Sequence, residues 1–159
     1  MMRCVLVATD GSDESRAAVE TGIELVRSLG PDARLHVASV ISYAGVPDIM
    51  AKQPPGAPDL LAEEADASLE QARTVTAAAR MPAEFHLLHG DIVDALLECA
   101  RDVEADLFVA GYHGRNRLAR LVMGSVAGKL ARASSIPVVI VGNGTTVPLG
   151  MTTVRRRLG

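Results

Sequence analysis

The chain has 159 residues, 48% of them hydrophobic, enough for one domain with a full core and too apolar for a disordered segment. Aromatic residues make up only 3%, with no Trp, so the core must be aliphatic and single-strand nucleic-acid recognition by base stacking is disfavoured. The formal net charge is −3, and Arg155, Arg156 and Arg157 lie in a tail without acids, so the preceding chain is more acidic still and a poor match for a nucleic-acid backbone.

Cys4 to Thr9 is a continuous apolar run that reads as a central strand. It ends in Asp10-Gly11-Ser12-Asp13, where Ser12 is suited to cap a helix and Asp13 and Glu14 to fill its first turn. Ala18, Gly22, Leu25 and Leu29 then recur at helical spacing, and Gly30-Pro31 closes that helix. Arg34 to Ile41 reads as the second strand. Residues 42–58, with Pro47, Pro54, Pro55 and Pro58, form a loop long enough to be functional or mobile.

Asp59 to Ala79 reads as an amphipathic helix with Leu61, Ala65, Leu69, Ala72 and Ala79 on its inner face. Glu84 to His89 is the third strand. Gly90-Asp91 opens a helix that buries Ile92, Leu96, Cys99 and Val103, with Asp91 and Asp94 sharing its cap. Leu107 to Gly111 is the fourth strand. A short basic turn, Leu118 to Met123, leads to a helix from Ser125 to about Ala133. Pro137 to Val141 is the fifth strand. The tail, 143–159, shows no period and is expected to be flexible.

Strand and helix thus alternate five times without a repeat or a splitting linker, which implies one doubly wound parallel sheet with right-handed crossovers. Such sheets bind ligands beyond the carboxyl ends of their strands, where the strand order reverses. If the first and fourth strands are neighbours there, Asp10 and Gly111 meet across the crevice. Cys4 and Cys99 read as buried free thiols. The first acid follows a short apolar run, so no signal peptide is expected, and no apolar run approaches the ~20 residues of a membrane span. A cytoplasmic protein without membrane contact is expected.

The stretch that carries the most chemistry follows the fourth strand. Ala110-Gly111-Tyr112-His113-Gly114-Arg115 continues to Met123-Gly124-Ser125-Val126. Glycines at a strand end and before a helix admit φ > 0 and close backbone approach, and the helix start offers unpaired N–H groups to an anion. On spacing alone this fits either a phosphate cradle or an ordinary strand-to-helix loop.

These residues resemble the universal stress protein family across residues 1–142. The match rests on Thr9-Asp10-Gly11-Ser12, on the Leu35-His36-Val37 strand, on Pro137-Val138-Val139-Ile140-Val141, and above all on Gly111-x2-Gly114-x9-Gly124-Ser125, which fits the family's ATP-binding signature. The resemblance implies a Rossmann-like, adenine nucleotide α-hydrolase-like fold with strand order 3-2-1-4-5, and a homodimer through the fifth strand, Pro137 to Val141. It implies ATP with Mg²⁺ at the sheet's carboxyl edge, in the nucleotide-binding subclass of the family. Asp10 would face the ribose or the phosphate-bound Mg²⁺, with Ala8 and Thr9 beside it, and the backbone around Val37 would meet the adenine edge. Ala110, Gly111, Gly114, Gly124, Ser125 and Val126 would hold the ribose and phosphates. Ala8 stands where some members have proline, and the tail has no counterpart.

Arg115 would add positive charge at the phosphates, as could Arg117 and Arg120. His113 has no evident partner that would make it a general base, and His86 and His89, three apart on a strand, point to opposite faces. His36 is expected to be packed, and no metal site beyond Mg²⁺ carried by ATP is expected. A Walker-type Gly-Lys-Ser/Thr is missing, and so is a residue to orient water. The reading is a nucleotide-dependent regulatory protein of the stress response that holds ATP and acts on an unknown protein partner. The alternative is a slow ATPase or nucleotidyl-transfer enzyme with the 42–58 loop as a lid. A dinucleotide-binding enzyme is disfavoured, because Asp10-Gly11-Ser12 lacks the Gly-x-Gly-x-x-Gly expected after the first strand.

Overall fold

A computed structural model describes residues 1–43, 54, 59–112 and 125–142, together with the backbone of 146–149. In chain order the elements are β1 (Cys4–Ala8), α1 (Asp13–Leu29), β2 (Arg34–Ile41), α2 (Leu60–Ala78), β3 (Ala83–His89), α3 (Ile92–Asp102), β4 (Leu107–Gly111), α4 (Ser125–Ala133), β5 (Val138–Val141) and β6 (Thr146–Leu149). The sheet order is β3-β2-β1-β4-β5-β6. Its first five strands are all parallel, in the order 3-2-1-4-5, with helices flanking both faces.

The continuous apolar run of β1 follows from burial on both faces. Val5 and Val7 point into the layer formed with α1 and α2, where Val19, Ile23, Leu69 and Ala72 pack. Cys4 and Leu6 point the other way, to Leu96, Phe108, Leu130 and Ile140 beneath α3 and α4. α1 comes close to the sheet because Gly22 carries no side chain. A Cβ there would stand 2.5 Å from Val7 Cγ2 and 3.2 Å from Leu35 Cδ1. The α1 stripe is wider than the sequence reading has it: Ala18, Val19, Gly22, Ile23 and Val26 are buried, while Leu25 and Leu29 pack at its margin. At the opposite sheet edge from the carboxyl ends, Asp106 Oδ2 accepts from the backbone N–H groups of Arg3, at 2.7 Å, and Cys4, at 3.0 Å, so it ties the start of β4 to the start of β1.

The helix starts follow their caps. Ser12 caps α1 by accepting from Ser15 N, Asp59 caps α2 by accepting from Ala62 N, and Asp91 caps α3 by accepting from Val93 N and Asp94 N. Asp94 therefore lies in the first turn that Asp91 caps and does not share the capping. Both cysteines are buried and free.

The tail departs from expectation. Residues 146–149 pair antiparallel with β5, with Val138 opposite Leu149 and Val141 opposite Thr146. A parallel sheet that ends at β5 would leave a row of unpaired backbone groups there, and β6 pairs with that edge. Four residues with a proline among them carry too little pattern to read as a strand. The edge through which a homodimer was expected is thus covered by the chain itself. Most of the 42–58 loop and the basic turn at 118–123 lie outside the described residues.

Candidate functional site

A cavity of about 530 Å³ opens beyond the carboxyl ends of β1, β2 and β4. Its volume lies in the range of small-molecule sites. The strand order reverses between β1 and β4, since the chain runs outward from β1 through β2 to β3 and then returns to β4 on the other side. The cavity straddles that point, and α2 and the start of α3 close its sides.

β1 hands the chain to the cavity through a tight, fully bonded turn. Thr9 N donates to the carbonyl of Ala38, which locks the turn to β2 at 2.9 Å. Asp10 Oδ1 accepts from Ser12 N at 3.0 Å, and Gly11 between them has φ +80, a value that favours glycine. Ser15 Oγ donates to the carbonyl of Ser12 at 2.9 Å, so its proton is committed there. In the 3.1 Å contact between Thr9 Oγ1 and Ser15 Oγ it is therefore Thr9 that donates. Thr9 Oγ1 in turn accepts from Gly11 N at 3.4 Å. The result is a rigid base for the Asp10 carboxyl at the cavity wall.

Of the residues expected at the site, Ala8, Thr9, Asp10, Ala110, Gly111, Ser125 and Val126 line the cavity. Positions 10 and 111 thus meet, from stretches about a hundred residues apart. Ser125 and Val126 open α4, so the unpaired N–H groups of a helix start lie at the cavity. Gly114, Arg115 and Gly124, as well as His113, lie outside the described residues. Val37 is expected to act through its backbone; its side chain is fully buried toward α1 and α2, and the β2 residues that line the cavity follow it directly, Ala38, Ser39 and Val40. Strand alternation turns Val37 into the core, and β2 runs on to its end at the cavity mouth.

Five polar residues at the cavity escaped sequence reading: Ser15, Ser39, Ser42, Glu64 and Ser68. Ser68 is buried and donates to the carbonyl of Glu64 at 2.8 Å, one turn back on α2. A buried serine on an otherwise aliphatic helix face was the available signal for it. Ser39 follows the cavity-facing run of β2, and only the strand register shows that it reaches the site.

A doubly wound parallel sheet with a cleft at its switch point, walled by an aspartate turn and a helix start, is the architecture in which α/β proteins place their ligand sites. The profile of the universal stress protein family matches residues 1–142, and the chain belongs to that family. It is 28% identical to the stress response protein NhaX of Bacillus subtilis, over 86% of this chain and 96% of that protein. Among solved structures, hypothetical protein MJ0577 superposes with a TM-score of 0.74 at 20% identity, covering 90% of this chain and 97% of that one, a likeness of fold. A universal stress protein in complex with cAMP superposes with a TM-score of 0.63 at 32% identity, covering 87% and 96% of the two chains.

Proposed function

We propose that the chain binds an adenine nucleotide in the cavity at the β1–β4 switch point. The observation that carries this reading is the convergence of Asp10, Gly111 and the start of α4 on one cavity of about 530 Å³. The cAMP complex of a relative at 32% identity supports the ligand class. The finer reading is ATP with Mg²⁺. The phosphates would lie against Gly111, Gly114, Gly124, Ser125 and Val126 with Arg115 nearby, and the base would lie against the backbone around Val37 and the cavity-lining residues Ala38 to Val40. Asp10 fits a magnesium ion or the ribose, because its carboxylate is an oxygen ligand held at the wall by the turn.

On this reading the nucleotide is held rather than turned over, with slow hydrolysis assisted by the cavity carboxylates, Asp10 and Glu64, as the alternative. Among the described residues no histidine or lysine lines the cavity, and the Thr9 and Ser15 hydroxyl protons are committed to neighbours. Function then lies in a nucleotide-dependent, cytoplasmic regulatory role toward a protein partner. A homodimer through β5 fits this role if β6 yields that edge. Calorimetric titration with ATP, AMP and cAMP, with and without Mg²⁺, tests the site. Saturable one-to-one binding of at least one of them, with GTP weaker, is expected; heats no larger than dilution for all three would contradict it.

A further inference from the structure

Outside the cavity, β2 and β3 bring His36 together with two side chains, Glu84 and His86, that lie 48 and 50 positions away in the sequence. His36 and Glu84 are partners in the parallel register, and His86, two residues beyond Glu84, stands on the same face of β3. His36 is buried, at 2% exposure, whereas Glu84 and His86 lie toward the open side of β3. His36 Nδ1 is 3.0 Å from His86 Nε2 and 4.0 Å from a Glu84 carboxylate oxygen. The two rings are only 19° from parallel with centroids 5.2 Å apart, and each aims one nitrogen at the space between them. One ligand atom from each residue lies within 4.8 Å of the others.

We propose that His36, Glu84 and His86 form a binding site for a first-row transition-metal ion such as Zn²⁺ or Ni²⁺. Two imidazole nitrogens and one carboxylate oxygen are a ligand set that these ions favour, with a fourth position left to water. Zn–N bonds of about 2.0–2.1 Å place two nitrogens of a tetrahedral site about 3.3 Å apart. The His pair needs to open by only a few tenths of an ångström to meet that spacing. Glu84 is exposed, so its carboxylate can swing in, while the buried His36 fixes the deep corner of the site.

His36 Nε2 has no hydrogen-bond partner among the described residues. Either tautomer leaves that atom unsatisfied, as a bare lone pair or as an unpaired N–H. Moving the proton off Nδ1 to admit a metal therefore creates no additional unpaired group. None of the three residues lines the nucleotide cavity, so the site stands apart from the proposed nucleotide chemistry. An ion held there would clamp β3, an edge strand, to β2.

The test is titration of untagged, EDTA-stripped protein with zinc sulfate or nickel chloride alone, read by calorimetry and by thermal denaturation. The wild type should bind one ion and melt higher. Glu84→Gln, at an exposed position, should keep the metal-free melting temperature. His86→Gln removes the partner of His36 Nδ1 and is compared with its own metal-free melting temperature. Both should weaken binding by at least about tenfold. Amide exchange should slow in β3 when the metal is added. Absence of binding would leave the two histidines as a hydrogen-bonded pair and overturn the proposal. Equal binding in both variants would place the ion elsewhere and overturn it too.

Discussion

Gly111 ends β4 against the first turn of α1, so closely that a Cβ on it would stand 3.1 Å from the backbone carbonyl carbon of Glu14. Ser15 N would be 3.2 Å away. The first glycine of the signature is thus required for packing two halves of the site together, whatever ligand lies above it. Backbone atoms at a capped helix start cannot retreat as a flexible side chain would. Gly111→Ala is therefore expected to destabilise the fold by about 1–3 kcal/mol through overpacking. Urea denaturation measures it, and an unchanged midpoint would show that α1 has slack there.

Asp10 serves the turn and, on the proposed reading, the ligand, and one substitution separates the two. Asn keeps an oxygen that can accept from Ser12 N but removes the charge. Asp10→Asn is expected to fold with near wild-type stability and to lose the gain in ATP affinity that Mg²⁺ confers. Comparing titrations with and without Mg²⁺ checks this. An Mg²⁺ effect that persists in Asp10→Asn would remove the ion from that residue.

Burial pushes the Cys99 thiol from its ordinary value of 9.0 up to about 11, with the nearby Asp102 charge adding to the effect. Burial raises Cys4 as well, with Arg34 opposing it in part. The thiolate is the reactive form, so both residues should resist a disulfide reagent at pH 8 until the protein unfolds. For Cys99 the native state holds its proton more tightly than the unfolded chain. Its contribution to stability is full below about pH 9 and is lost as pH rises through about 11. Labelling in native buffer as fast as in urea would contradict this.

β6 covers the edge at which a second copy would pair, so the two compete for the same backbone groups of β5. A chain ended at Gly142 is expected to show a larger dimer fraction than the full chain. Light scattering at matched concentrations reads the difference. Identical masses for the two chains would mean that β6 has no bearing on self-association.

Much of this architecture is legible in the residues, for identifiable reasons. β1 and β4 announce themselves because both faces are buried and the runs are unbroken, and Ser12, Asp59 and Gly30 mark helix ends by local chemistry. The meeting of Asp10 and Gly111 follows once β1 and β4 are neighbours, the order that the family resemblance implies and the sheet has. Features that depend on register were not legible. Ser39 joins the cavity and His36 meets His86 only once β2 is aligned with its neighbours. Ser68 depends on how α2 lies over the sheet. Strand alternation turns the Val37 side chain into the core, which leaves the backbone contact expected there untouched. β6 escaped because four residues carry no usable period, and its pairing is a property of the β5 edge rather than of its own sequence.

The central claim is a nucleotide held by the clamp of Asp10 and the glycine signature. Thermal denaturation of the wild type and of Gly114→Val, with and without Mg-ATP, tests it most directly. Ligand at about 100 times its dissociation constant adds about 2.7 kcal/mol, which for a domain of this size raises the melting temperature by roughly 5–11 °C. The wild type should show that rise and Gly114→Val should not. No rise at millimolar ATP, or an equal rise in both proteins, would contradict the site.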